Sequence, residues 1–220
     1  MTAGRHYGNV GRTLLWWAAE KGHKKIVQQL IDKGAEIDSK SNYGRAPLWW
    51  AARNGHKEIV QLLLDNGAEI DSKDNYGGRT PLWWAAEKGH KEIVQLLLDK
   101  GAEIDTKNDH GWTPLLWAAE KGHKEIVQLL FDNGAEINAK SNFGRTPLWW
   151  AAGKGHKEIV QLLLDSGAEI DSKDNDGQTP LLWAARNKHK EIVQLLLDSG
   201  AEADTKDNHC DRTPLLWAAE

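Results

Sequence analysis

The sequence contains a single cysteine, Cys210, among its 220 residues. One cysteine excludes a disulfide within the chain, so we expect a reducing, intracellular setting. The first residues, from Met1 to His6, contain no apolar stretch of the kind that forms the core of a secretory signal. This composition favours the same intracellular expectation, with either the cytoplasm or the nucleus as the compartment.

Long apolar runs and a dominant charge are also missing. Every apolar run is far shorter than the roughly 18 residues that a membrane helix needs, so we expect no membrane span. The chain carries 28 Lys and Arg against 32 Asp and Glu, a formal net charge of -4. A charge so small and so mixed argues against nucleic acid or an anionic membrane as the partner. Any partner is expected to be recognised by shape and local chemistry.

One sequence motif, in which tryptophan precedes two alanines, occurs seven times. Its copies begin at Leu14, Pro47, Pro81, Pro114, Pro147, Pro180 and Pro214. The copies recur with a period of about 33 residues, which is typical of stacked repeat architectures. The sequence therefore predicts one domain, 1–220, with repeats at about 11–43, 44–76, 77–110, 111–143, 144–176 and 177–209 and a half repeat at 210–220.

The repeat that starts near Thr146 shows the expected local structure. Thr146 is a suitable N-cap, Pro147 suits the first position of a short helix, and Gly155 suits its left-handed end. Residues 156–165 have the apolar periodicity of a second, amphipathic helix, and the polar segment 168–177 suits a tight turn. Because one such unit cannot bury its own apolar face, we expect the repeats to stack.

These motifs, with Thr-Pro-Leu, Ala-Ala, Gly-His, Ile-Val and Leu-Leu at fixed offsets from about Gly11 to Glu220, resemble the ankyrin repeat. The resemblance implies an all-α solenoid of stacked antiparallel helix pairs with protruding β-turn or hairpin tips. It also implies a protein-binding scaffold with a concave surface made of tips and first helices. The family usually has histidine after Thr-Pro-Leu, whereas this chain has Trp or Leu there, as in a variant of some fungal arrays.

The tryptophans allow two interpretations. Each buries about 150–250 Å² when enclosed, so a series of indoles could hold neighbouring repeats together. Alternatively, exposed indoles could form a cage for a methylated lysine or another cationic side chain. The cage needs acidic neighbours, which Glu20, Glu87 and Glu120 could supply, whereas Arg53 and Arg186 would repel the ligand. Packing is the favoured interpretation.

Positions that differ among the copies are the candidate partner-binding residues, since structural positions are held nearly identical by stacking. One set lies at the predicted tips, where aromatic and arginine side chains are typical of binding hot spots. The tip residues are Tyr43, Arg45, Tyr76, Arg79, His110, Trp112, Phe143, Arg145, Asp176 and Gln178. A second set ends the first helices. Its members are Arg53, Asn54, Glu87, Lys88, Glu120, Lys121, Lys154, Arg186 and Asn187.

Catalytic and metal-binding patterns find no support in the sequence. The histidines that precede the second helices, such as His56 and His90, belong to different repeats, too far apart to share a metal ion. We therefore predict a non-enzymatic scaffold that uses no cofactor and binds a protein or peptide. The near identity of the copies also allows a structural or engineered array without a ligand. The last residues, Trp217–Glu220, end in the middle of a repeat, so this uncapped end is a candidate surface for self-association.

Overall fold

The computed structural model describes residues 13–206, 208, 213 and 214. This part of the chain contains short helices that come in pairs. They are α1 (Leu14–Lys21), α2 (Lys24–Asp32), α3 (Pro47–Arg53), α4 (Lys57–Asp65), α5 (Pro81–Lys88), α6 (Lys91–Asp99), α7 (Pro114–Lys121), α8 (Lys124–Asp132), α9 (Pro147–Lys154), α10 (Lys157–Asp165), α11 (Pro180–Arg186) and α12 (Lys190–Asp198). No strand occurs in the same residues.

The chain divides into two compact halves, Met1–Ala102 and Glu103–Glu220. Within each half, the first helix of a repeat packs against its own second helix and against the first helix of the next repeat. The second helices contact one another more lightly, as α2, α4 and α6 do in the N-terminal half. Stacking of this kind is the arrangement that the sequence predicts. That residues 1–220 form one domain stays a prediction.

The first helices begin and end as their sequences predict. The Thr146 hydroxyl accepts a hydrogen bond of 3.2 Å from the Trp149 amide, which caps α9. Pro147 occupies the first turn, where its missing N–H removes no helical hydrogen bond. Gly155 ends the helix in the left-handed region, with φ of 82°. Its own N–H donates back to the helix, so the orphan carbonyls of the last turn gain a partner.

Two repeats depart from this pattern where their sequences do. Ala46 stands at the N-cap of α3 and makes no side-chain capping bond. Lys188 stands where the other repeats have glycine and has a φ of 62°. A side chain in the left-handed region costs roughly 1–2 kcal/mol, so this connection is locally strained.

The core of each repeat lies between its two helices. In the second repeat α3 packs against α4, and Leu48 and Ala52 of α3 are buried, as are Ile59, Val60 and Leu63 of α4. The small alanine side chain allows close approach of the helices, while the branched residues fill the remaining space. The polar side chains of α4 lie on the opposite, solvent-facing side.

The tips are turns that hydrogen-bond to their neighbours. The Asn75 amide donates to the Tyr43 carbonyl at 2.9 Å, which joins two successive tips of the N-terminal half. Gly44 is needed beside this bond, because its φ is 71° and a Cβ there would overlap the Asn75 side chain. In the C-terminal half the Asn142 amide donates in the same way to the His110 carbonyl at 3.0 Å. The all-α repeat fold with protruding turns is thus confirmed.

Candidate functional site

The tryptophans pack between repeats rather than face solvent. Trp49 is 1% exposed and Trp149 is fully buried. The Trp49 ring contacts Trp50 of its own helix at a centroid distance of 4.6 Å and Trp84 of the next repeat at 4.8 Å. Edge-to-face and tilted contacts of this kind stabilise by about 0.5–1.5 kcal/mol beyond the area they bury. The packing interpretation is confirmed for these indoles, whereas Trp17 is 41% exposed.

The arginines at the tips cover these indoles. The guanidinium carbon of Arg45 lies 4.4 Å from the centroid of Trp49, in cation-π geometry. The Arg45 Nε atom lies 3.8 Å from a carboxylate oxygen of Asp74, whose side chain is completely buried. Burial lowers the pKa of Arg45, and attraction to Asp74 opposes that shift. Arg45 is therefore a structural residue through its contacts with Trp49 and Asp74, and only part of its side chain reaches solvent.

The C-terminal half repeats this arrangement. Arg145 lies 4.4 Å from the centroid of Trp149, and its Nε donates a hydrogen bond of 3.2 Å to the buried carboxylate of Asp174. Sequence reasoning missed Asp74 and Asp174 as functional partners. A signal was present, because in both cases an arginine at one tip is followed by aspartate at the start of the next.

Two residues predicted at the exposed tips are buried instead. Trp112 is 9% exposed, and its ring lies 4.5 Å from Trp117 and 4.7 Å from Trp150. Its repeat has Leu116 where others have a first tryptophan, so the Trp112 indole packs against the second tryptophans instead. Gln178 is also buried, at 8% exposure. Neither residue therefore contributes to the exposed surface of the tips.

The remaining tip aromatics are exposed. Tyr43 is 43%, Tyr76 56% and Phe143 53% exposed, although each is large and mainly apolar. In the N-terminal half the Tyr43 and Tyr76 rings meet edge to face at 5.2 Å. His110 is likewise exposed, whereas Asp176 is half-buried. The aromatic tips are thus presented to solvent by turns that the neighbouring tips hold in place.

The ends of the first helices carry paired charges next to the second tryptophans. Lys88 lies 3.2 Å from Glu87 and 5.5 Å from the centroid of Trp84. In the C-terminal half Lys121 lies 2.9 Å from Glu120. The remaining contacts of this set involve Lys121 with Trp117 at 4.7 Å, Lys154 with Glu120 at 3.3 Å and with Trp150 at 5.7 Å, and Arg186 with Trp183 at 5.2 Å. The chain's own cations thus occupy the positions that a methylated lysine would take.

The side chains of the two asparagines in this set donate hydrogen bonds to backbone carbonyls. The Asn54 side-chain amide donates to the Glu20 carbonyl of the preceding repeat at 3.2 Å. Asn187 donates to the Trp183 carbonyl of its own helix at 2.8 Å. Both bonds satisfy carbonyls at the ends of first helices, which otherwise lack an intrahelical partner.

The histidine series links repeats. His56 Nε2 lies 3.0 Å from the Glu20 carbonyl oxygen, and His90 Nε2 lies 3.1 Å from that of Arg53. His156 and His189 make equivalent contacts in the C-terminal half. The expectation that these histidines are structural is confirmed. Among the described residues, no three His, Cys, Asp or Glu side chains are grouped as a metal site would require.

Two predicted features lie outside the described residues: Cys210 and the proposed self-association surface at Trp217–Glu220. Within the described part of the chain, every helix is too short or too polar to cross a bilayer.

Comparison with known proteins agrees with this geometry. The family described as ankyrin repeats (3 copies) matches residues 3–74, 72–141, 137–207 and 171–220. Among solved structures, the crystal structure of the human ASB11 ankyrin repeat domain is similar, with 29% sequence identity and a TM-score of 0.86. The similarity covers 94% of this chain and 92% of that one. A comparison with curated protein sequences gives no significant match.

Ankyrin repeats are generally protein-binding scaffolds, and their fold is typically non-enzymatic. Because the family pattern extends over nearly the whole sequence and the helix pairs stack as it requires, the chain belongs to the ankyrin repeat family.

Proposed function

We propose that this chain is a non-enzymatic scaffold that binds a protein or peptide through its aromatic tips and the neighbouring ends of its first helices. We call this region of each half the inner surface. In the N-terminal half the inner surface comprises Tyr43, Tyr76 and the charged residues beside them, including Arg53 and Lys88. In the C-terminal half it comprises Phe143 with residues such as Lys121 and Lys154.

The observation that carries the proposal is the exposure of the tip aromatics. Tyr43, Tyr76 and Phe143 are each about half exposed, while the first tryptophans of the same layers are almost completely enclosed, at 2% exposure or less for Trp49, Trp83 and Trp149. Large aromatic side chains on rigid supports lose little conformational entropy on binding and are enriched at binding hot spots. Neighbouring tips are hydrogen-bonded through their backbones, as at Asn75 and Tyr43, which provides such a support.

The methylated-lysine alternative has weaker support. Among the second tryptophans, Trp50 and Trp84 are buried, at 8% and 7% exposure, and Trp117, Trp150 and Trp183 are half-buried. Lys121 already lies over Trp117, and Glu120 is paired with that lysine. A ligand cation would therefore have to displace Lys121, which the chain itself holds in place without any entropy cost of association. We expect peptide binding to be unchanged when lysines of a bound peptide are methylated, and a clear preference for the methylated form would favour the cage.

Selection from a random-peptide display library on the full chain tests the proposal. We expect specific sequences to be enriched and to lose most of their affinity when Tyr43, Tyr76 and Phe143 are changed together to alanine. Leu197→Ala is the matched control, because Leu197 is an exposed apolar residue at 38% on the second helix α12. Binding that survives the triple change, or that depends equally on Leu197, would refute this surface. Failure to enrich any sequence would favour a structural array without a ligand.

A further inference from the structure

Three arginines of the N-terminal half, Arg45, Arg53 and Arg79, form a cluster on one group of indoles. Arg45 and Arg53 both contact the Trp50 ring, because the guanidinium carbon of each lies 5.4 Å from its centroid. Arg53 and Arg79 share the next ring, at 5.1 Å and 5.2 Å from the centroid of Trp84. The inner surface of this half therefore carries a continuous row of guanidinium groups across two repeats.

The positive charge of this cluster is incompletely balanced. Asp74 pairs with Arg45, but among the described residues no carboxylate lies within ion-pair distance of Arg53 or Arg79. The Nε atoms of all three arginines are buried and lack a hydrogen-bond acceptor. Repulsion from Arg53 and Arg79 adds to the burial that lowers the pKa of Arg45. Three like charges are thus held together in a chain whose net charge is negative.

An exposed aromatic pair borders the cluster. The Arg45 guanidinium carbon lies 5.3 Å from the centroid of Tyr43 and 5.9 Å from that of Tyr76. Both rings are solvent-exposed, and they pack against each other. Hydrogen-bond donors for an anion and an apolar platform are therefore adjacent.

We propose that this cluster and the Tyr43–Tyr76 pair bind an acidic segment of the partner. Aspartate or glutamate carboxylates accept hydrogen bonds from Arg53 and Arg79, and an aromatic or aliphatic side chain beside them covers the tyrosines. The inference rests on the proposed function and specifies the partner's chemistry. Guanidinium groups spread over two repeats suit carboxylates at successive positions of an extended segment better than they suit a single phosphate group.

The described residues of the C-terminal half contain no equivalent cluster. Arg145, the tip arginine that the structure describes there, donates a hydrogen bond of 3.2 Å to the buried Asp174. The lysines at its first-helix ends are paired with Glu120, as Lys121 and Lys154 show. Acid recognition is therefore expected of the N-terminal half alone.

The variant Arg53→Gln with Arg79→Gln tests the inference while it keeps the Arg45–Asp74 ion pair. Arg45 is left in place, because its removal would leave the buried carboxylate of Asp74 unpaired. Lys57→Gln with Lys91→Gln is the matched control, since it removes the same charge from exposed positions on the second helices of the same half. Circular dichroism checks that both variants are folded.

Peptides selected from a random library on the full chain are expected to be enriched in Asp and Glu next to an aromatic or aliphatic residue. The best peptide, synthesised, should bind the double arginine variant at least about tenfold more weakly at low salt, and bind the lysine variant with at most a small loss. Replacing its acids with Asn and Gln should cause a similar loss. Enrichment of neutral peptides that depend on Tyr43 and Tyr76 would overturn this inference and leave the proposed function standing.

Two further outcomes also decide the matter. Equal losses in the arginine and lysine variants would show a general charge effect and overturn the cluster as a site. A phosphoserine peptide that binds where the acidic one does not would overturn the assignment to carboxylates. If no peptide is enriched at all, the proposed function itself fails, and this inference fails with it.

Discussion

The guanidinium carbon of Arg145 lies 4.4 Å from the centroid of Trp149, while its Nε donates a hydrogen bond to the buried carboxylate of Asp174. The same distance separates Arg45 from Trp49. Arg45, Arg79 and Arg145 each have tryptophan four residues later, whereas Trp112 and Gln178 precede leucine; Arg212, which precedes Leu216, departs from this pairing. In the described tips, arginine and the first tryptophan form one packing unit.

Arg145→Gln is expected to destabilise the protein more than loss of a surface contact would. It removes the cation-π contact and leaves Asp174 as a buried carboxylate without its cation, a loss of about 3 kcal/mol. Adding Asp174→Asn should recover part of that loss. An asparagine side chain can accept the same backbone hydrogen bond. Asn108 Oδ1 accepts from the Trp112 backbone N–H at 2.9 Å, as Asp174 does from the Gln178 backbone N–H. Urea unfolding of both single variants and the double variant measures the coupling, and simple additivity would contradict this explanation.

Gly153→Ala is expected to destabilise the protein, although alanine normally stabilises a helix by about 0.5–1 kcal/mol over glycine. A Cβ at Gly153 would overlap the Trp183 ring, which stacks on Trp149 at 4.6 Å and an interplanar angle of 18°. In a Trp183→Ala background the obstacle is gone, and the same change should become stabilising. Thermal unfolding of the four proteins would show this reversal of sign, and its absence would mean that Trp183 moves aside without cost.

Asp105→Asn is expected to stabilise the protein at neutral pH and to lose that advantage in acid. The Asp105 carboxylate accepts the Glu136 amide at 3.1 and 3.2 Å, yet burial raises its pKa above the ordinary value. A raised pKa means that the folded state resists ionisation more than the unfolded state does, so wild-type stability falls as pH rises through this range. Asn138 accepts the Glu169 amide at 2.9 Å in the next repeat, so asparagine keeps the hydrogen bond.

The measurement for Asp105 is the free energy of unfolding from about pH 3 to pH 7 for both proteins. The gain of the variant should appear as pH rises past the ordinary aspartate pKa. Asn138→Asp provides the reverse change and should lower stability at neutral pH. If the stability gained by Asp105→Asn did not depend on pH, the gain would not come from removal of a buried charge at Asp105.

Tyr43→Ala with Tyr76→Ala should leave the fold almost unchanged. Their mutual contact contributes at most about 0.5–1.5 kcal/mol, and both rings are solvent-exposed. Trp49→Ala, by contrast, should cost about 3–5 kcal/mol, because it opens a cavity beneath Arg45 and between two repeats. Comparison of urea midpoints separates the two roles. A large loss in the tyrosine variant would assign the tips to stability rather than to binding.

Much of the fold follows from the sequence because its determinants are local. The Thr146 cap, Pro147 at the first turn and Gly155 at the left-handed end act within one turn of helix, and their positions predicted the bounds of α9 closely. The histidines were also placed correctly as structural residues, although their carbonyl partners in the preceding repeat were not foreseen. Such a contact depends on how one repeat sits on the next.

The exposure of the candidate site residues could not be predicted from local sequence. Tyr43 and Trp112 both occur at tips, but the first is exposed and the second is buried. The repeat of Trp112 has the smaller Leu116 in place of a first tryptophan, and the Trp112 ring packs against Trp117 and Trp150. Composition of a loop cannot reveal whether a side chain faces solvent or a gap in the neighbouring layer.

The sequence by itself determined the repeat, its helix pairs, their caps and the turns between them, since each depends on residues a few positions apart. Only the tertiary structure decided which side of each helix meets the next repeat. Within the described residues, that packing buried the first tryptophans, paired Arg45 with Asp74 and left Arg53 and Arg79 without a carboxylate in ion-pair distance. The reason is physical: a charge or an aromatic ring acquires its role from the neighbours that stacking brings to it, and those neighbours are a whole repeat away in the chain.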